Sequence, residues 1–365
     1  MFFILGMCLF GLFGCSSEVT LTLDDDIITP PANTIPSTSR SNLPAELLWL
    51  HQNAQSGNEY IIELTGSGNI SAQDLSFSGV NNVTIRLVGL DKERVVQLTD
   101  NGNLFRVGSG ITLIIGNNVT LRGHGRNNSS LIHIAGRGTL IIEAGARILG
   151  NTNTGWNSSA SGILVNTDGV FEMKGGEISG MGGNMGGVRV ADGGYFKMDG
   201  GRITGNNAST AGVGVDNGLF VMTGGAISGN ASSQGGGGVR MWNGRFEMEG
   251  GTISGNTASG NNNGGGVYLS NAVFNMRGGE ISGNTAVSGG GVFVASNASI
   301  NKTGGIIYGY TLGDSRRNTA TNGITSNDRG HAVFVSSSPS RRRETTAGYE
   351  INLNSGIVGA AGGWE

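Results

Sequence analysis

Short segments in which apolar and polar residues alternate recur along most of this chain, at intervals of about 25 residues. The clearest one is Phe-x-Met-x-Gly-Gly-x-Ile-Ser/Thr-Gly, and a Gly-Val-x-Val segment or a close variant precedes each copy. Successive side chains of a β-strand point to opposite faces, so this alternation predicts strands. Each repeat therefore predicts three short strands: Gly-Val-x-Val, Phe-x-Met and x-Ile-Ser/Thr. Glycine and asparagine between them predict turns with positive φ.

The same residue types return at the same places in consecutive repeats, which predicts a stack of coils. In such a solenoid each strand pairs with its copy in the next coil, about 4.8 Å away along the axis. Less regular copies from Leu113, Leu140 and Ile300 bring the predicted number of coils to eight. The stack predicts three internal columns, of phenylalanine, methionine and isoleucine: Phe171, Phe196, Phe220, Phe246, Phe274; Met173, Met198, Met222, Met248, Met276; and Ile178, Ile203, Ile227, Ile253, Ile281.

A solenoid needs a cap at each end, because an open terminal coil exposes a sheet edge and the core. Apolar residues recur at helical spacing from Leu43 to Ala54, which predicts a capping helix, and a strand pattern follows from Tyr60 to Leu64. The solenoid is therefore predicted to have three parts. Residues 42–112 form the capping helix and irregular first coils, residues 113–309 form the regular coils of about 25 residues, and residues 310–365 form an insertion, a last coil and the C-terminal cap.

The first fourteen residues form an apolar run that is too short to span a bilayer and is typical of a signal peptide, predicted for residues 1–14. The run ends in Leu12-Phe13-Gly14-Cys15, which resembles the bacterial lipobox. The resemblance implies cleavage before Cys15 and lipidation of its thiol. Residues 15–41 hold Ser, Thr, Pro and three consecutive Asp without periodicity, and so predict a flexible tether after the lipidated cysteine. The alternative is an apolar N-terminus buried in the fold.

Composition favours an ordered repeat over a fibrous or disordered chain. Glycine accounts for 68 of the 365 residues, yet there are only 5 prolines, no three-residue period and 37% hydrophobic residues, which argues against collagen and disorder. Cys8 and Cys15 are the only cysteines, so the solenoid is predicted to fold without disulfides. The net charge of -3 provides no positive field for nucleic acid, and no nucleic-acid partner is predicted.

Asparagine follows Ser/Thr-Gly at one place in four coils. An inward asparagine there can bond the turn backbone and its own copies in the coils above and below. A structural asparagine ladder is therefore predicted at Asn206, Asn230, Asn256 and Asn284.

With its repeat phrase, core columns and asparagine ladder, the chain resembles the right-handed parallel β-helix proteins of the pectin-lyase-like superfamily. More narrowly, it resembles the Gly-Gly-x-Ile-Ser-Gly-Asn-Thr-Ala repeat lipoproteins of spirochaetes and some other gut or oral bacteria. The resemblance covers residues 43–365 and implies an all-β fold, a right-handed parallel β-helix (β-solenoid) with an N-terminal capping helix. Members of the superfamily include polysaccharide lyases and hydrolases, adhesins and autotransporter passengers, so the fold does not select an activity.

The sequence contains no recognisable catalytic or metal-binding pattern. A lyase of this superfamily would bring clustered carboxylates for calcium and an Arg or Lys base, and a polygalacturonase would bring clustered Asp with His and Arg-x-Lys; neither set is found. The histidines fall in different coils and lack the spacing of metal ligands: His51, His124, His133 and His331. We predict no catalytic residue, no metal site and no cofactor.

The outward residues of the Gly-Val-x-Val strands include a candidate ligand-binding row: Arg189, Arg240, Tyr268, Phe293 and Phe334. Aromatic residues exposed on adjacent coils are typical of surfaces that stack on sugar rings or on a protein partner. The alternative is that the C-terminal insertion folds over these residues and buries them.

The leading functional hypothesis is a monomeric lipoprotein of the bacterial cell envelope, at the outer membrane or cell surface, that contacts the membrane only through its lipid. It would bind a glycan or another host or microbial surface ligand without catalysis. Two alternatives stay open: a carbohydrate-active enzyme, either a polysaccharide lyase or a hydrolase, and a structural envelope protein without a specific ligand.

Overall fold

The computed structural model describes residues 35, 42–152, 161–210, 212–309, 313–321, 330–336 and, for the backbone, 341–344. These residues form one helix and 37 strands, and the strands pair in parallel in four stacked sheets, A to D. The chain is thus a parallel β-helix, as predicted. The predicted signal peptide, Cys15, the tether apart from Ile35, and the chain after Glu344 lie outside the described residues.

Sheet A contains the Phe-x-Met strands and their equivalents: Glu59–Leu64, Val83–Gly89, Ile111–Ile115, Thr139–Ile142, Val170–Met173, Tyr195–Met198, Leu219–Met222, Arg245–Met248, Val273–Met276, Ser299–Lys302 and Arg341–Glu344. Sheet B contains the x-Ile-Ser/Thr strands and their equivalents: Gly68–Ile70, Arg94–Leu98, Val119–Arg122, Arg147–Leu149, Glu177–Ser179, Arg202–Thr204, Ala226–Ser228, Thr252–Ser254, Glu280–Ser282 and Ile306–Ile307.

Sheet C contains the Gly-Val-x-Val strands and their equivalents: Gln73–Leu75, Phe105–Val107, Ile132–Ile134, Ile163–Val165, Val188–Ala191, Val213–Asp216, Val239–Trp242, Val267–Ser270, Val292–Val294 and Val333–Val335. Sheet D contains two-residue strands: Gly182–Gly183, Asn207–Ala208, Ala231–Ser232, Thr257–Ala258, Thr285–Ala286 and Thr319–Ala320. The prediction of three strands per repeat is therefore wrong for the coils that contribute to sheet D, which have four. A two-residue strand is too short to produce a recognisable alternation.

The three predicted core columns are confirmed, since all fifteen side chains are fully buried. Sheet A pairs each phenylalanine with the next, as in Phe196↔Phe220, so the rings repeat at the spacing of the coils. Their centroids are 4.5 to 4.8 Å apart and their planes differ by at most 8°. At the C-terminal end of the regular coils, Ile300 pairs with Phe274 and Lys302 pairs with Met276, which ends the repetition of both columns.

The double glycine of the repeat is required where the chain turns from sheet A to sheet B. Gly225 and Gly251 have φ of +80° and +82°, a region that side chains disfavour. A Cβ at Gly225 would also lie 2.6 Å from the Cε of Met198 and 2.9 Å from the backbone of Gly200. Tight stacking of coils thus leaves no space for a side chain here.

Helix α1, Leu43–Asn53, covers the first coil as the predicted capping helix. The Asn42 side chain caps it by accepting a hydrogen bond of 3.0 Å from the backbone N–H of Ala45. Leu47 and Leu50 are buried in the core cluster of the solenoid. The described part of the chain contains no helix that is long and apolar enough to cross a membrane. Sheets A, B and C all begin in the first coil, where Glu59–Leu64 forms the predicted strand.

Candidate functional site

The five residues of the predicted ligand-binding row lie on one column of sheet C. Each pairs in register with its neighbour in the next coil, so adjacent Cα atoms are about 4.8 Å apart. The column runs in the order Asp74, Arg106, His133, Leu164, Arg189, Gly214, Arg240, Tyr268, Phe293, Phe334.

The aromatic part of this column is stacked and partly buried. Phe293 lies between Tyr268 and Phe334, with ring centroids 5.4 and 5.3 Å apart. Tyr268 and Phe334 are half-buried, but Phe293 is only 7% exposed. The expectation of an exposed aromatic row therefore does not hold at Phe293, because its neighbours occupy both faces of its ring.

Glycine turns add to the burial of this column. The turns that precede the strands of Tyr268 and Phe293 fold back against them, so that a Cβ at Gly264 would lie 2.9 Å from the Cβ of Tyr268. In the next coil a Cβ at Gly289 would lie 2.9 Å from the Cα of Phe293. Both glycines have positive φ, which the sharp reversal requires.

The cationic part of the column borders a hollow of about 260 Å³. Arg189 and Arg240 lie two coils apart, with Gly214 in the coil between them. A Cβ at Gly214 would lie 2.6 Å from the Cγ2 of Thr210, so the glycine allows the preceding turn to pack onto the sheet. The hollow is lined by Met185, Arg189, Thr210, Gly214, Val215, Asp216, Arg240 and Trp242.

The two arginines of the hollow have different partners. Nη2 of Arg189 lies 3.4 Å from Oδ2 of Asp216, in a partly exposed ion pair. Nη1 of Arg240 donates to two uncharged oxygens, Oε1 of Gln234 at 3.2 Å and Oγ1 of Thr210 at 3.4 Å. Two guanidinium groups and one carboxylate leave the hollow with one unbalanced positive charge.

Trp242 completes the hollow and was not predicted from the sequence. Its side chain is 42% exposed, and Cζ of Arg240 lies 5.6 Å from its ring centroid. The neighbours of Trp242 in its own column are Asp216 and Ser270, so no aromatic repeat marks the position. The sequence signal that could have found it is the large apolar residue directly before the Asn243-Gly244 turn.

The predicted asparagine ladder lies inside the solenoid, at the corner between sheets B and D. Each side chain donates to the next asparagine of the ladder, and each after Asn206 accepts from the preceding one; Asn206 accepts from the backbone N–H of Met181. Asn230, for example, donates from Nδ2 to Oδ1 of Asn256 at 2.9 Å and to the carbonyl of Ile203 at 3.0 Å. The four predicted residues are each at most 1% exposed, so the bonds satisfy polar groups that water does not reach.

The ladder is longer than the sequence indicated. Asn318 continues it at one end by accepting from Nδ2 of Asn284 at 2.9 Å. At the other end Asn127 donates to Oδ1 of Asn151 at 2.9 Å. Between Asn151 and Asn206 the position is occupied by Met181, whose sulfur accepts from the N–H of Asn151 at 3.3 Å. Longer turns precede Asn127 and Asn318, and Leu149 replaces the Ser/Thr before Gly150-Asn151, so the Ser/Thr-Gly-Asn pattern does not identify these three asparagines.

The outer face of sheet A holds a second group of charged residues. Glu247 accepts hydrogen bonds from Arg245, Arg277 and Asn275. Burial alone would raise the pKa of Glu247, but these three donors outweigh burial and keep the pKa below its usual value. Nearby, Lys197 lies 3.0 Å from Asp199. The carboxylates in these contacts are held ionised by cations beside them.

The four histidines do not form a site. Nε2 of His124 lies 2.8 Å from the carbonyl of Asp100, and Nδ1 of His331 accepts from the N–H of Ala320 at 3.0 Å. Burial lowers the pKa of His133, and the nearby Arg106 lowers it further. In the part of the chain that the structure describes, no three His, Cys, Asp or Glu side chains come together as metal ligands would.

The described residues thus define a parallel β-helix with a cationic, tryptophan-edged hollow on the outer face of sheet C. No protein-family model, no curated protein and no solved structure matches this chain.

Proposed function

We propose that this protein is a non-enzymatic binding module of the bacterial cell envelope that holds a glycan on the outer face of sheet C. The observation that carries the proposal is the hollow between Arg189 and Arg240, with Trp242 exposed at its edge. The partly exposed Tyr268 continues the same face one coil further on.

The chemistry of the hollow suits a sugar ring. An exposed indole offers a flat apolar face to the C–H groups of a pyranose, while Asp216, Thr210 and the arginines offer partners for its hydroxyl groups. Pockets for drug-sized ligands usually measure about 300–1,000 Å³. At about 260 Å³ the hollow matches one sugar unit, with the remainder of a glycan lying along the column.

The acidic residues favour binding over the alternative of glycoside hydrolysis. A hydrolase needs a general acid whose pKa is raised, so that it is protonated near neutral pH. The described acidic residues with a perturbed pKa all have it lowered: Glu177, Asp199, Glu247 and Asp314. Ionised carboxylates paired with cations are typical of a structural surface network.

The glycan proposal predicts that Trp242→Ala weakens binding about tenfold or more, because the ring stacking is lost. The purified full chain and the variant would be compared on a glycan array, and the affinity for the best ligand measured by calorimetry. Ile306→Ala is the matched control, since Ile306 on sheet B is 41% exposed and far from sheet C's outer face. The Ile306→Ala variant should bind the glycan with the same affinity as the wild type.

Three results would contradict the proposal or favour an alternative. An unchanged affinity in Trp242→Ala would place the ligand elsewhere. Release of uronate products or new reducing ends from a bound polysaccharide would support the enzyme. An array on which the folded protein binds nothing would support a structural envelope role.

Envelope anchoring is a separate part of the proposal and depends on Cys15. If the lipobox-like segment is processed, the mature protein begins at Cys15 and gains the mass of its lipid. Mass spectrometry of protein isolated from bacterial membranes would check this, with Cys15→Ser as the control that stays unlipidated. A mature wild-type protein that keeps residues 1–14 would contradict the proposed anchor.

A further inference from the structure

We propose that the hollow on sheet C selects a sugar that carries an acidic group, a carboxylate or a sulfate, and binds that group between Arg189 and Arg240. This inference rests on the proposed glycan binding and names the chemical class of the ligand. It follows from the charge of the hollow, the partners of Arg240 and the pairing of the surrounding strands.

The charge of the hollow favours an anion. Asp216 neutralises one guanidinium at most, and its contact with Arg189 is a partly exposed pair of 3.4 Å, which is weak in water. Arg240 has no carboxylate within ion-pair distance among the residues that the structure describes. An acidic group that enters the hollow would therefore meet an unbalanced positive charge in a partly desolvated site.

Arg240 is held in place before any ligand arrives. Gln234 and Thr210 both accept from its Nη1, and its Cζ lies over the ring of Trp242. These contacts orient the planar guanidinium but use only uncharged acceptors. A carboxylate or sulfate would add charge-assisted hydrogen bonds, which are roughly twice as strong as those between neutral groups.

The positions of the arginines limit the ligand to one acidic group per hollow. They flank Gly214 at a separation of two coils, about 9.6 Å between Cα atoms. Their long side chains can converge on one anion over the glycine. Asp216 on the same coil as Gly214 disfavours a second anion beside the first and remains available to accept from a sugar hydroxyl.

An acidic sugar fits the hollow better than an acidic peptide does. Extended peptides usually bind by adding a strand to a free sheet edge. The strands around the hollow have no free edge, because Val213–Asp216 is paired with Val188–Ala191 on one side and Val239–Trp242 on the other. Trp242 provides the apolar surface that a sugar ring needs.

The test compares acidic polymers with their neutral parents, using the purified full chain. The probes are polygalacturonate and the galactan obtained by reducing its carboxyl groups, dextran sulfate and dextran, and polyglutamate as an acidic peptide. Calorimetry at low and high salt would measure each affinity. We expect at least one acidic glycan to bind about tenfold or more tightly than its neutral parent, with the difference decreasing at high salt.

Arg240→Gln should remove this preference for the acidic glycan, and Arg189→Gln should reduce it. Arg122→Gln is the matched control: Arg122 is exposed on sheet B, so the variant has the same change in net charge away from the hollow. The melting temperatures of all three variants would be compared with the wild type to confirm folding.

The outcomes separate this inference from the proposed function. Equal, Trp242-dependent binding of acidic and neutral glycans would overturn the acid preference and leave glycan binding standing. A preference that survives Arg240→Gln would also overturn it. Tight binding of polyglutamate that Arg240→Gln abolishes would show a peptide site instead. If no glycan binds in a Trp242-dependent way, both proposals fail.

Discussion

Replacement of Asn256 by alanine is expected to lower the free energy of unfolding by about 3 kcal/mol or more. Asn256 is completely buried, and its Oδ1 accepts from both the N–H and the Nδ2 of Asn230. Its Nδ2 donates to the carbonyl of Ile227 at 2.9 Å. Alanine would remove these three buried hydrogen bonds, each worth about 0.5–1.5 kcal/mol, and would leave the backbone N–H of Asn230 unsatisfied inside the solenoid, which costs about 1–3 kcal/mol.

Urea unfolding followed by circular dichroism would measure this loss. Asn262→Ala is the matched control, because Asn262 also donates two hydrogen bonds to backbone carbonyls, of Ser233 and Ser259, but does so at the exposed surface. Its cost should stay below about 1 kcal/mol, since water replaces the lost bonds. Equal losses in the two variants would contradict a structural role for the ladder.

Phe220→Ala is expected to cost about 3–5 kcal/mol. Phe220 is fully buried in the middle of its column, with its ring centroid 4.8 Å from that of Phe196 and 4.7 Å from that of Phe246. Alanine would remove this apolar contact area and leave a cavity that the paired strands on both sides prevent from closing.

The same denaturation experiment applies to this column. Val221→Ala is the control, since Val221 follows Phe220 on the same strand but points outward and is half-exposed. Its cost should be at most about 1 kcal/mol, because less apolar area is lost and no cavity forms. A loss in Phe220→Ala no larger than in the control would contradict the assignment of this column to the core.

The core could be predicted from the sequence, because the same apolar residue occupies the same place in consecutive repeats and therefore stacks on its own copies. Phe171 and Phe274, at opposite ends of the column, occupy equivalent places as predicted. Sheet D was not predicted, because its strands lack a recognisable sequence pattern. Its strands contain two residues each, and a segment such as Asn207–Ala208 shows no alternation that distinguishes a strand from a turn.

The candidate site was less accessible to prediction than the core. The row on sheet C could be predicted from the alternation of apolar and polar residues, but the hollow depends on residues that do not recur from coil to coil. Gly214 interrupts the row, and Trp242 has no aromatic counterpart in the coils on either side. The burial of Phe293 depends on stacked neighbours and on the folded-back turn at Gly289, and neither contact can be inferred from the spacing of residues.

Because equivalent strands stack in register in sheets A to D, the number of coils can change without a change in the fold. Gain or loss of one regular coil, with strands in all four sheets, would add or remove one position in each core column and would still bring equivalent strands together. The hollow does not share this freedom, because Arg189, Gly214 and Arg240 belong to three successive coils. Loss of one of these three coils would remove either one of the arginines or the gap between them, whereas loss of a regular coil elsewhere would leave the hollow intact and change only its position along the solenoid.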